Sequence, residues 1–257
     1  MKILYPDKII SISADEENAS WLAANLLNGH TEKVWKATSK DAIVTVSMAV
    51  GSNALAVFNT NAESVGITIS EANSYEWDTG YEWDTGYEWF ENSGFGTEYI
   101  LHDLTTSNEE SFWTDYTQRD AMHYIILTFT AAVGDIVEAG VVTAGVSNTF
   151  KDPKFGIQEG LVDYSIVKQL SNGAFWTKKQ NIARTFSGNL NVTRDSDFYT
   201  FLLDIAKSTK TNPFACRVST NLTNWEWVVY TRFDGLPKGS HPYPSDSEIQ
   251  FSLLEAQ

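Results

Sequence analysis

Six aromatic rings and five carboxylates crowd into one stretch, Tyr75-Glu-Trp-Asp-Thr-Gly80, Tyr81-Glu-Trp-Asp-Thr-Gly86 and Tyr87-Glu-Trp89. It is two and a half copies of a six-residue unit. As one extended strand, the even period puts every Tyr and Trp on one face and every acid on the other. As a meander, each Asp-Thr-Gly closes a hairpin with Gly in the left-handed conformation. Two chemistries fit these residue types. Trp77, Trp83 and Trp89, with Tyr81 and with Trp113 of a second loop, could stack on sugar rings. Glu76, Asp78, Glu82 and Asp84 could instead gather a Ca²⁺ ion through hard oxygen ligands. The Asp-x-Asp-x-Asp-Gly spacing of an EF-hand loop is missing. A third account needs no ligand: a duplication that lengthens a surface loop or packs on a neighbouring subunit.

Motifs for catalysis are lacking. The chain has no Gly-x-Ser-x-Gly elbow, no phosphate-binding Gly-rich loop, no His-Glu-x-x-His and no Cys-x-x-Cys. His30, His102, His123 and His241 are scattered without ligand spacing. Asp195 and Asp197 resemble a glycosidase acid pair, but their place at a helix start is explained by capping and the helix dipole. The single cysteine, Cys216, excludes an internal disulfide and any multi-cysteine metal site. It lies in the apolar run Pro213–Val218 and reads as a small buried hydrophobe. The expectation is a protein that is not an enzyme, with no cofactor apart from the Ca²⁺ alternative.

The elements that must carry these residues are mostly strands. With 257 residues, the chain is long enough for two domains. Ala42–Met48, Ala54–Phe58, Ser64–Ile69, Tyr124–Phe129 and Val137–Val146 form a first group rich in β-branched residues. A second group follows Asp152-Pro153. It holds Tyr164–Leu170, a turn at Ser171-Asn-Gly173, Ala174–Lys179, and a long run placing Ile182, Phe186, Leu190 and Val192 on one face. Trp225–Phe233 and Glu248–Leu254 close it, with Ile249, Phe251 and Leu253 pointing one way. One amphipathic helix is predicted over Ser196–Lys207, its stripe being Phe198, Phe201, Leu202, Ile205 and Ala206. A shorter helical turn is predicted from Ser20 to Leu27, stopped by Asn28-Gly29.

The formal net charge is -15, from 18 Lys plus Arg against 33 Asp plus Glu. Such a surface repels phosphate backbones and argues against nucleic acid as a partner. Lys178, Lys179, Arg184 and Arg194 fall close together, most simply as a solvated strand face. No run approaches the roughly 18 uncharged apolar residues that span a bilayer, so membrane insertion is not expected. The opening Met1–Asp7 does not read as a signal peptide, which leads to the expectation of synthesis in a cytoplasm without export.

Two resemblances add to this. Ala19-Ser-Trp-Leu-Ala-Ala-Asn-Leu-Leu-Asn-Gly29, followed by Val34-Trp-Lys-Ala37, resembles the opening of the galactose-binding-like (discoidin) jelly roll. Asn25, Leu26, Leu27, Asn28, Gly29 and Trp35 match that family's turn and its Trp, with Asn28 where Asp is usual. The resemblance implies mouth loops that bind sugars and a structural Ca²⁺; the family's usual disulfide is absent. The stretches Thr185–Val192, Asp197–Asp204 and Glu248–Glu255 resemble the β-sandwich-plus-helix parts of siphophage tail-tip (distal-tail or minor tail) proteins. That family assembles into rings by pairing strands between subunits.

The expected fold is therefore mainly β. A galactose-binding-like jelly-roll β-sandwich over 1–149 is followed by a tail-type β-sandwich with one flanking α-helix over 150–257. The expected role is a structural component of a bacteriophage tail, made in the host cytoplasm and carried in the virion. Its partners would be other tail proteins, copies of itself in a homo-oligomeric ring, and host surface glycans. The alternative is a free carbohydrate-binding module, a monomer with sugar affinity and no catalysis. Trp21, Trp113, Trp176 and Trp225 are expected at interfaces, Trp35 and Trp227 in the core.

Overall fold

The computed structural model describes residues 1–29, 31, 33–71, 98–104, 110–154, 156–169, 171, 174–193, 196–219, 227–242 and 246–256. The first part contributes β1 (Lys2–Asp7), β2 (Ile9–Ala14), β3 (Trp35–Lys36), β4 (Asp41–Met48), β5 (Ala54–Phe58), β6 (Ala62–Glu71), β7 (Glu98–Asp103), β8 (Ser111–Asp115), β9 (His123–Ala131), β10 (Glu138–Ala139) and β11 (Val141–Thr149). The second contributes β12 (Gln158–Asp163), β13 (Ile166–Gln169), β14 (Phe175–Lys178), β15 (Ile182–Thr193), β16 (Phe214–Arg217), β17 (Val228–Phe233), β18 (Lys238–Ser240) and β19 (Asp246–Glu255). One helix, α1 (197–209), lies between β15 and β16. The protein is mainly β, as its composition of alternating β-branched segments requires.

Strand alternation decides what each sheet buries. In β4, Ala42, Val44, Val46 and Met48 are buried while Asp41 and Ile43 are exposed. In β9, Ile125, Leu127 and Phe129 turn to the same core. A five-stranded antiparallel sheet, in the order β2-β4-β9-β6-β7, supplies one wall of this first cluster. The other wall is the inner face of β5, β8 and β11, through Leu55, Val57, Phe112, Val142 and Ala144. Trp35 is fully buried between these walls, its ring 5.8 Å from that of Phe129.

The larger sheet runs β12-β15-β19-β17-β16-β1-β11-β5-β8, with β18 beside β19. It passes through both parts of the chain. Ile3 pairs with Asn148 of β11 on one side and with Cys216 of β16 on the other. Its C-terminal strands carry a second cluster that includes Phe186, Leu190, Ile249, Phe251 and Leu253, and α1 adds Phe198, Phe201, Ile205 and Ala206. Residue 150 does not divide the sheet, and Ile3 and Phe150 both belong to this second cluster. A third cluster joins Ala54, Ala56 and Phe58 of β5 and Trp113 of β8 to Ala215 of β16 and Val228 and Tyr230 of β17. The sheet therefore curls back on itself, and β5 is buried on both faces. The Phe58 and Tyr230 rings meet across the curl at 5.3 Å.

Two expectations are corrected here and two are refined. Phe112 and Trp113 are not in a loop but in β8, opposite Val57 and Ala56. Ile182 shares the parity of Phe186 but is 52% exposed. Its strand partner β19 reaches only to Thr185, so among the described residues the ladder on that side stops short of Ile182. The helix begins and ends in α geometry, but Thr200–Ala206 is a π-helix, in which the Lys207 N–H bonds to the Leu202 carbonyl. The short turn from Ser20 to Leu27 is a 3-10 helix over Ala23–Leu27.

β1 kinks between Leu4 and Asp7 where it crosses β11, and Gly145 lies under the kink opposite Asp7. A Cβ at Gly145 would fall 2.1 Å from the Pro6 carbonyl oxygen. That atom is backbone and not a flexible side-chain tip, so the strands themselves must part. Gly145→Ala is expected to lower unfolding stability by about 1–3 kcal/mol, the usual range for overpacking. Urea unfolding followed by tryptophan fluorescence checks this, and an unchanged midpoint would show that the crossing is loose.

Candidate functional site

The 3-10 turn Ala23–Leu27 delivers Asn28 and Gly29 to the seam between the first part of the chain and the larger sheet. Gly29 has φ +74, a conformation that side-chain-bearing residues rarely adopt, and it lies against Pro213 and the Tyr230 hydroxyl. Here a cavity of about 350 Å³ opens between Asn28, Tyr164, Arg232 and Glu255. A second lobe of about 230 Å³, lined by Asn59, Glu110, Asn181 and Arg184, shares Glu255 and Ala256 with it. Glu255 Oε1 accepts from Arg184 Nη2 at 3.2 Å and Nε at 3.4 Å, and its Oε2 accepts the Arg184 backbone N–H at 3.0 Å. Burial pushes the Tyr230 hydroxyl up to about 12, so it stays a neutral donor. Amide, guanidinium, carboxylate and one half-exposed tyrosine ring (Tyr164, 42% exposed) make a cleft suited to a polyhydroxylated ligand.

Of the sequence-predicted site residues, Trp113 alone lies among the described residues, and it does not line this cleft. Trp77, Tyr81, Trp83 and Trp89, and the acids Glu76, Asp78, Glu82 and Asp84, lie outside the described residues, as do His30, Asn172, Gly173, Arg194, Asp195 and Trp225. Trp113 is described, and it is only 7% exposed. Its ring packs in the third hydrophobic cluster and its Nε1 donates to Asp115 Oδ1 at 3.0 Å. That corrects its placement as a sugar-stacking ring: the curl of the sheet covers the face a sugar would need. Trp21 and Trp176 are exposed, and the Lys36 ammonium stands 4.9 Å from the centre of the Trp21 ring. The cleft residues were missed because they come from many distant segments and no local spacing joins them. The one clue was the Asn28-Gly29 turn.

One pair has the look of a nucleophile and its base. Ser52 Oγ lies 2.9 Å from His123 Nε2, and the Tyr116 hydroxyl donates to Ser52 Oγ at 2.8 Å. His123 Nδ1 donates to the Ala121 carbonyl at 3.1 Å, which leaves Nε2 to accept the Ser52 proton. Ser52 is 0% and His123 1% exposed, and both lie away from the cleft lined by Asn28, Tyr164 and Arg232. Buried this deeply, the pair satisfies the hydrogen-bonding needs of core polar groups. Cys216 is likewise buried, and desolvation pushes its thiol up to about 12. Among the described residues no group of three His, Cys, Asp or Glu could hold a metal ion, and no helix is long and apolar enough to cross a membrane.

These positions make a direct expectation. A fluorophosphonate probe should leave Ser52, and a thiol reagent Cys216, unmodified in the native protein and react with Cys216 after unfolding. Stoichiometric labelling of Ser52 in the folded state, read by intact mass, would reveal a reactive centre that the geometry does not predict.

No family model matches the chain, and no curated protein matches it. Among solved structures it is similar to a pectin-binding carbohydrate-binding module at 12% identity, covering 54% of this chain and 91% of that one, with a TM-score of 0.37. It is similar to chitosan-binding module 1 from the chitosanase/glucanase of Paenibacillus sp. IK-5 at 14% identity, covering 55% and 99%, with a TM-score of 0.37. It is also similar to XRCC1 in its complex with the DNA polymerase β catalytic domain at 10% identity, covering 56% and 98%, with a TM-score of 0.38. Scores of this size do not establish a common fold.

Proposed function

We propose that this chain is a non-catalytic assembly protein that joins copies of itself, as a structural component of a bacteriophage tail. The observation that carries the assembly reading is the hairpin β13–β14. Among the described residues its two strands pair only with each other, through Ile166↔Lys178 to Gln169↔Phe175. Every residue in them is exposed, including Val167 at 60%, Phe175 at 69% and Trp176 at 46%. An isolated two-stranded hairpin is marginal in water, and apolar side chains on both of its faces gain nothing there. A partner surface would bury them.

Charge supports a second copy as that partner. Residues 164–180 contain Lys168, Lys178 and Lys179 and no acid, in a chain of net charge -15. A basic arm meeting an acidic body is a head-to-tail contact, which closes into a ring when the rotation allows. β12, the edge strand of the larger sheet among the described residues, leaves Leu161 71% exposed. The tail assignment rests on the sequence resemblance alone. In that reading the aromatic and acidic repeat would meet neighbouring subunits or host glycans. The seam cleft, with Asn28, Tyr164 and Arg232, favours a second reading as a free carbohydrate-binding module.

Light scattering over a range of concentration and salt tests both. A discrete oligomer that weakens as salt rises is expected. Phe175→Ser with Trp176→Ser, both at exposed positions, should weaken association by about 2 kcal/mol or more, roughly thirty-fold in Kd, without changing the circular dichroism. A strict monomer at every condition would overturn the assembly reading. If that monomer binds a glycan array and Tyr164→Ala abolishes the binding, the module reading takes its place.

A further inference from the structure

On the far side of the second hydrophobic cluster, the end of α1 and the turn after β17 enclose a cavity of about 540 Å³. Leu202, Phe233, Leu236 and Pro237 form its walls, and Lys207 and Lys210 stand at its rim. Its size and apolar lining are those of a small-molecule site. The wall contributed by α1 belongs to the π-helical segment Thr200–Ala206, a geometry rare in proteins and frequent at functional sites. Lys210 has φ 49 and ψ -103, a strained conformation for a residue that carries a side chain. The bland account of the lysines is that they complement the carbonyl end of α1. That explains their charge but not the apolar hollow beside them.

We infer that this cavity binds the alkyl chain of a single-chain carboxylate amphiphile, with Lys207 and Lys210 over its head group. Three observations select that chemistry. First, both lysines are exposed, and neither forms a salt bridge with a carboxylate among the described residues. Asp204 and Asp234, close in sequence, do not line the cavity. Two cations with no carboxylate partner among the described residues, at an apolar mouth in a protein of net charge -15, attract an anion where most of the surface repels one. Second, Thr211 is the one uncharged polar side chain in the lining. β18 already pairs with β19, so it offers no free edge on its β19 side. A peptide backbone laid here would need partners for its N–H and C=O groups, whereas an alkyl chain has none to satisfy. Third, the basic hairpin of a second copy, with Lys168, Lys178 and Lys179, is repelled by the same two lysines. The arm proposed above and this cavity are therefore separate sites.

Isothermal titration of the full chain with dodecanoate, below its micelle concentration, tests the site. Saturation at one molecule per chain is expected. Dodecyltrimethylammonium, with the same chain and the opposite charge, should bind at least about ten-fold more weakly, as should dodecanoate to Lys207→Gln/Lys210→Gln. Leu236→Ser, at a position 67% exposed and so tolerated by the fold, should weaken binding by removing apolar wall. No saturable dodecanoate binding, equal binding of the cation, or unchanged affinity in both variants would overturn the proposal.

Discussion

The strand β1 holds this structure together. It lies between β11 and β16, so that Lys2 pairs with Thr149 on one side and Arg217 on the other. Its side chains divide between two clusters, Ile3 in the second and Leu4 in the third. Removing it would open the larger sheet in the middle and expose apolar surface on both faces. The close crossing at Gly145, the curl that buries β5 twice, and the seam beneath Asn28 and Gly29 all depend on that one strand being in register.

The three surface features lie where this frame stops. The hairpin β13–β14 extends past the edge of the larger sheet, the cleft follows the seam, and the lysine-rimmed cavity sits at the end of α1. Each presents exposed side chains that the clusters do not need, and the cavity sets them on walls that the second cluster supplies. Phe175 and Trp176 can change without touching a core, and so can Lys207 and Lys210. Trp113 is the opposite case. Its ring helps close the curl, so it is committed to packing.

The fold was legible where a strand has one buried face. β4, β9 and β19 alternate cleanly, and Ile249, Phe251 and Leu253 lie buried as their period demands. The helix stripe was legible for the same reason. What the period could not reveal was pairing between distant strands. β1 is short and interrupted by Pro6, so nothing local marks it as central. β5 shows no alternation because both its faces are covered. A tryptophan beside a polar segment also looks alike whether exposed or buried, which is why Trp113 was misplaced. The cleft was illegible except for Asn28-Gly29, because it is assembled by the curl rather than by spacing.

Placing β1 between β11 and β16 also shapes how the chain can fold. The strand's second ladder cannot close until residues more than two hundred positions later have been made and ordered. Contacts of such long sequence separation carry a large loop-closure entropy and slow the search for the native state. Until then the β16-facing edge of β1 is unpaired, and Leu4 lacks its neighbours from β16 and β17. The newly made chain therefore passes through a stage with an open sheet edge, when pairing with another molecule competes with pairing to itself.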